Sequence, residues 1–296
     1  MSKYLDPKSD VVFKKIFGEH PHLMKSFLNA VLPLPEDSPI IELDYLPSEQ
    51  VPHIPAFKRT IADVKCKDAK GRVFIVEMQI DWTESFKQRL LFGTSQAIVK
   101  QLERGQAYQL LQPVYGLGIV ADTFEKENPA WYHHYQLVKL DENASSDVIE
   151  HLQLVFIELP KFPVHSPEEK KLRLLWLRFL REINEKTVNV SKELLDVPEI
   201  SEAVVLAEEV AYTAGELNAY ETYWDAVRTE KTLLIGKYDE GKAEGLAEGM
   251  EKGMEKMQRE IARNLLKRGI PIEVVIEGTG LSREEVEALK ASINIS

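Results

Sequence analysis

The stretch from Arg59 to Asp81, RTIADVKCKDAKGRVFIVEMQID, reads as two strands and a tight turn. Thr60 to Lys67 mixes β-branched with polar residues, and Arg72 to Ile80 is richer still in Val, Ile and Phe. Between them, Asp68-Ala69-Lys70-Gly71 is a turn signal. A three-residue loop of Ala69, Lys70 and Gly71, with Gly71 left-handed, sets Asp68 opposite Arg72. Paired residue numbers then sum to 140, so Asp63 faces Glu77. Side chains alternate along a strand, so Gln79 projects from the same face as Glu77. A two-residue loop would shift the register by one and separate the three.

Two carboxylates at cross-strand distance repel unless a cation lies between them. A hard divalent ion such as Mg2+ suits carboxylate oxygens, a backbone carbonyl (here that of Met78) and water. Such an ion polarises a phosphate and lowers the pKa of an attacking water. The alternative from spacing alone is a pair of acids solvated on an exposed strand face.

An Asp, a short turn and Glu-x-Gln in an apolar strand resemble the PD-(D/E)XK nuclease superfamily. The likeness is closest to its branch of recombination-promoting nucleases and transposases, in which Gln commonly replaces the Lys of the motif. Asp6-Pro7-Lys8-Ser9-Asp10, the following Phe13-Lys14-Lys15-Ile16-Phe17-Gly18 and Ser26-Phe27-Leu28-Asn29-Ala30 are similar to that branch. So are the Gly-every-four tract and Thr279-Gly280-Leu281-Ser282, and the resemblance spans nearly the whole chain. One departure is that Ile61-Ala62, not Pro, precedes Asp63.

The resemblance implies an α/β, restriction-endonuclease-like core, a mixed sheet flanked by helices, followed by an all-helical C-terminal region. It implies a metal-dependent DNA endonuclease that hydrolyses phosphodiesters and promotes recombination. Asp63, Glu77 and the Met78 carbonyl would hold Mg2+, with Mn2+ or Ca2+ as substitutes, and Gln79 would orient water or phosphate. An N-terminal acid, Asp10, would approach the metal, and Arg89 would meet phosphate; Lys14 is a further candidate for phosphate on its charge alone. Each of the last three has a structural alternative: Asp10 as a helix N-cap, Arg89 in an ion pair, Lys14 with Lys15 in solvent. Glutamine carries no charge and cannot act as a base. The missing Lys therefore implies a slow enzyme, and the lack of a base-reading element implies little sequence specificity. The competing function is an inactive or autoinhibited nuclease fold kept as a regulatory or oligomeric binding module.

The 296 residues suffice for one domain of moderate size plus an appendage. The boundaries read as 1–165 for the nuclease-like domain, 166–232 for a helical region, and 233–296 for a Gly-spaced helix and a small helical module. The lone Cys66 excludes an internal disulfide and suggests no thiolate zinc site; it reads as buried, opposite Asp63. No apolar run approaches membrane-spanning length and no signal-peptide core opens the chain, so a cytoplasmic protein is expected. The net charge of −11 is unusual for a partner of DNA. Residues 1–120 hold 15 basic and 14 acidic side chains, however, so the acidic excess lies wholly behind the hairpin region. DNA affinity is expected to be modest and salt-dependent.

Along the chain, two short helices around Gly18-Glu19-His20-Pro21 precede a strand from Ile40 to Leu46. An amphipathic helix from about Thr83 to Glu103 follows the hairpin. Val114–Ala121, Tyr135–Leu140 and Leu152–Leu159 read as buried strands. His133 and His134 are adjacent in a strand, point to opposite faces and make a poor ligand pair. From Ser166 the pattern is helical, and Trp176, Tyr220 and Trp224 read as core.

Gly241, Gly245, Gly249 and Gly253 form a strip on one helix face beside Leu246, Met250, Met254 and Met257. Glycines cost a helix ~0.5–1 kcal/mol each, so a compensating contact is expected, most simply with a second copy of the chain; the alternative is a flexible, partly frayed connector rich in Glu and Lys. The tail, Ile261 to Ile293, has the shape of a helix-turn-helix, with Ser282 and Glu285 as a capping box. Its last helix carries Glu284, Glu285 and Glu287, which phosphates repel, so the tail reads as a packing or assembly module.

Overall fold

The computed structural model describes residues 3–46, 64–140, 147–163 and 171–293. The hairpin forms in the expected register. Strand β2 (Val64–Asp68) runs antiparallel to β3 (Val73–Gln79), with Val64 opposite Val76 and Lys67 opposite Val73. Gly71 has φ +86°, and Asp68 N donates to Arg72 O at 3.1 Å. The Asp68 carboxylate closes the turn. It accepts from Arg72 N at 2.9 Å, Arg72 Nε at 2.7 Å and Lys70 N at 3.1 Å. This buried acid thus pins the register that places everything beyond it.

The other strands are β1 (Leu43–Tyr45), β4 (Val114–Val120), β5 (Tyr132–Val138) and β6 (Val148–Glu158). Their order is β1-β2-β3-β4-β6-β5; β3, β4 and β6 are parallel and the other pairs antiparallel. Helix α3 (Glu84–Val99) connects β3 to β4, as a parallel pair requires. Strand β1 is shorter than the sequence suggests because Ile40 is held elsewhere. Its N–H donates to Asn29 Oδ1 at 2.8 Å, and its carbonyl accepts from Asn29 Nδ2 at 2.9 Å. Strand β5 is not buried as its composition suggests. It is an edge strand beside β6 alone, and Tyr135, Leu137 and Val138 are exposed.

The sheet has an apolar layer on each face. Phe74, Val76 and Met78 point into the larger core, with Cys66, Leu117, Ile119 and Val155. That core includes α1 (Asp10–Phe13), α2 (Pro21–Val31), α4 (Lys171–Glu182), α5 (Lys192–Leu195) and α6 (Pro198–Leu206). Its centre is an aromatic knot in which Trp176, fully buried, meets Phe17 at 5.5 Å, Phe27 at 5.8 Å and Phe179 at 5.9 Å. Each such pair contributes ~0.5–1.5 kcal/mol beyond its burial. Val73 and Ile75 face the other way, onto Phe86, Leu90 and Ala97 of α3.

Ser9, not Asp10, caps α1: Val12 N donates to Ser9 Oγ at 3.4 Å, while Asp10 sits in the first turn, where its charge meets the positive end of the helix. At the start of α7 (Ala214–Lys267), Thr213 N donates to Glu216 Oε2 at 2.7 Å and Lys15 Nζ lies 2.9 Å from Glu216 Oε1. The Lys15 and Thr213 hydrogen bonds hold the Glu216 carboxyl at about 2. A folded pKa below the unfolded one stabilises above the ordinary carboxylate range, and the gain is lost as pH falls toward 2. Glu216→Gln is therefore expected to destabilise the chain at pH 7 and to match wild type near pH 2, as read by urea midpoints at both values.

The chain divides into two compact units, Met1–Val227 and Arg228–Ser296. In the second, α8 (Ile272–Thr279) and α9 (Arg283–Ile293) follow the end of α7, with Ala262, Val275, Leu281 and Val286 as its core. The expected capping box is present: Ser282 N donates to Glu285 Oε2 at 2.9 Å and Glu285 N to Ser282 Oγ at 3.3 Å.

Candidate active site

Period-two alternation in β3 puts Glu77 and Gln79 on the α3 face of the sheet, beyond Ile75. Both are buried, at 2% and 7% exposure. Met78 points into the opposite core, so its side chain is not on this face. Arg89 of α3 joins the two polar residues. Its Nη2 donates to Gln79 Oε1 at 2.8 Å, and its Nε lies 3.5 Å from Glu77 Oε2. Its guanidinium stands 5.1 Å over the Phe86 ring.

The position of Arg89 traces back to a glycine. Glu77 pairs with Gly118 in β4. A Cβ at Gly118 would stand 2.9 Å from both Phe86 and Phe156 ring atoms. The bare backbone lets the Phe86 ring approach the sheet closely, and Arg89, three residues on, falls on the same side of the helix. Gly116 repeats the device one layer back, beneath Thr94 and Leu90. Of the two expectations for Arg89, phosphate contact or ion pair, the structure has the ion pair, with a Gln79 bond for which the sequence carries no signal.

Asp63 lies outside the described residues. Among the described residues, no three His, Cys, Asp or Glu side chains gather as a metal site. Asp10 pairs with Lys14 at 2.9 Å. Burial, with the charges of Asp10, Asp6 and Asp81, pushes the Tyr223 phenol up. Lys14 is half-exposed and lines a cleft of about 250 Å³ with Gly18, Glu19, Tyr45, Leu46, Val64 and Lys65. Lys65 is buried, and burial, with the charge of Lys100, pulls its pKa down.

A second polar cluster was not legible in the sequence. In the row Gln79–Val120–Glu158, Glu158 is fully buried. Its carboxylate accepts from Phe124 N at 2.9 Å and lies 2.8 Å from both His133 Nε2 and Lys161 Nζ. These groups lie up to 37 residues apart, and no motif links them. His134 turns instead to Gln153, at 2.5 Å, so the two histidines have separate partners.

This arrangement, a mixed sheet with a buried Glu-x-Gln on its central strand and a crossover helix over it, is that of a restriction-endonuclease-like fold. The chain belongs to the PD-(D/E)XK nuclease family transposases, whose family model matches residues 7–235. Residues 255–291 match the Rpn/YhgA-like nuclease family, C-terminal HTH domain. No curated protein and no solved structure matches the chain. No helix among the described residues is long and apolar enough to cross a membrane.

Proposed function

We propose that this chain is a divalent-metal-dependent DNA endonuclease that hydrolyses phosphodiester bonds and promotes recombination in the cytoplasm. The observation that carries the reading is the buried Glu77–Arg89–Gln79 group, held at the end of β3 in a chain of a nuclease family. Val64 lies opposite Val76 at the described start of β2, which supports the reading of Asp63 as the partner of Glu77. The donors, two carboxylates and the Met78 carbonyl, suit a hard cation such as Mg2+, with Mn2+ or Ca2+ as substitutes. Such an ion, when bound, activates water and stabilises charge on the phosphate.

The remaining work falls to the side chains. Glu77 and Asp63 hold the ion. Arg89 supplies the positive charge that Gln79 lacks, and its fork fits the non-bridging oxygens of a phosphate. Gln79 accepts from Arg89 through Oε1, which leaves its amide N–H groups to donate to phosphate or to water. Asp10 is the further acid available to the reaction, and Lys14 an outer phosphate contact. Arg89→Ala is expected to slow cutting by about 10²–10³-fold, the usual loss for one preorganised donor. Arg89→Lys is expected to recover only part of it, because a point charge cannot reproduce both contacts. Single-turnover cleavage of a labelled duplex measures both; wild-type rates in Arg89→Ala would remove this residue from the mechanism.

The partners are DNA and a second copy of the chain. Gly241, Gly245, Gly249 and Gly253 are exposed on α7, and a Cβ at any of them meets nothing within 4 Å. Leu246, Met250, Met254 and Met257 beside them are exposed too. The first side-chain carbon of a Leu at each of the four positions therefore enters open space among the described residues. Replacing all four glycines by Leu is expected to convert an oligomer to a monomer in light-scattering mass, and an unchanged mass would count against pairing through this face.

A further inference from the structure

The match to a helix-turn-helix domain raises the question of which face meets DNA. The last helix, α9, is a poor candidate. It carries Glu284, Glu285 and Glu287, and its Arg283 is taken up by Glu273 at 3.3 Å and Glu287 at 3.8 Å. The end of α7 is different. Lys252, Lys256, Arg259, Arg263 and Lys267 are all exposed. At 100° per residue these five fall within an arc of roughly 80°, along roughly 22 Å of helix. No acid lies inside the arc; Glu255 and Glu260 flank it, one on each side. Lys252 pairs with Glu248 within its own helix, and Arg259 reaches Glu285 at 3.5 Å. Ala262, roughly 100° round the helix from the centre of the stripe, is in the core of the module, so packing fixes the direction in which the stripe faces.

We propose that this basic stripe on the last turns of α7, and not α9, is the DNA-contacting face of the C-terminal module, and that it binds the phosphate backbone without reading bases. The proposal rests on DNA being the substrate. Charge complementarity selects the partner: duplex DNA presents one negative charge per about 1.7 Å, so a 22 Å row of cations spans several phosphates. Lysine and arginine at this spacing give affinity and orientation but no sequence information. The stripe also bears on the acidity of the chain as a whole, because these five cations share one face that holds no acid.

The test is fluorescence anisotropy with full-length protein and a duplex of arbitrary sequence, in EDTA so that nothing is cut, between 50 and 200 mM salt. The variants are Lys256→Gln/Arg263→Gln/Lys267→Gln on the stripe and Arg283→Gln/Lys290→Gln on α9. Glutamine keeps helix propensity, and circular dichroism checks the fold. The stripe variant is expected to weaken binding and to reduce the log–log salt slope by about 2.7, three phosphate contacts at about 0.9 each. The α9 variant is expected to keep the wild-type slope. Equal binding by wild type and stripe variant would overturn the proposal, as would loss confined to the α9 variant. Loss of oligomeric mass together with DNA binding would also overturn it, reassigning the stripe to self-association. Wild-type protein that binds no duplex overturns it as well; plasmid nicking by that same protein then tells whether the nuclease reading falls too.

Discussion

Gly118→Leu is expected to lower the stability of the first unit by at least about 3 kcal/mol, toward the upper end of the usual cost of overpacking. For a unit of this size that is a fall in Tm of roughly 6–12 °C. The first added carbon already stands 2.9 Å from Phe86 and Phe156, both buried, and Leu adds three more. The ring of Phe86 must lift, and α3 with it, so Arg89 leaves Gln79 and Glu77. Activity should therefore fall even at temperatures where the variant stays folded. Gly118→Ala is expected to lie between the two. Thermal melts followed by far-UV circular dichroism, beside cleavage rates at 20 °C, measure both parts. A melting temperature within about 2 °C of wild type would mean that α3 does not rest on the sheet as described.

Glu77→Gln is expected to reduce Mn2+ affinity and DNA cutting by more than about 100-fold each, because a neutral amide offers one weak oxygen where the carboxylate offers charge. The substitution is nearly isosteric, and the site is buried, so no cavity is created. A loss of activity with an unchanged melt would thus be chemical and not structural. Calorimetric titration with Mn2+ separates metal binding from the reaction. Undiminished Mn2+ binding would move the metal away from β3.

Much of this fold could be read from local chemistry. The loop from Asp68 to Arg72 fixed the hairpin register because Gly71 and Asp68 admit few turn geometries, and period-two alternation then placed Glu77 and Gln79 together. The boundary of β1 was not legible, since Asn29, eleven residues earlier, removes Ile40 from the strand. The exposure of β5 was not legible either, because strand composition does not say which strand ends a sheet. Arg89 was identifiable by its place in the chain, but its double contact follows from the crossover and from Gly118, which are tertiary facts. The Glu158 cluster joins residues from a loop, an edge strand and a turn, and no periodicity relates them. The N-cap of α1 is Ser9 and not Asp10; both are good caps, and only backbone geometry chooses between them.

In the proposed reaction a divalent ion held by Asp63 and Glu77 lets this chain cut DNA. The most direct test is nicking of supercoiled plasmid by purified protein with Mg2+, Mn2+ or EDTA, beside Asp63→Ala and Glu77→Ala. Cutting by wild type that requires metal and disappears in both variants is the predicted result. Cutting that persists in EDTA or survives in both variants, or no cutting by wild type with either metal, would contradict it.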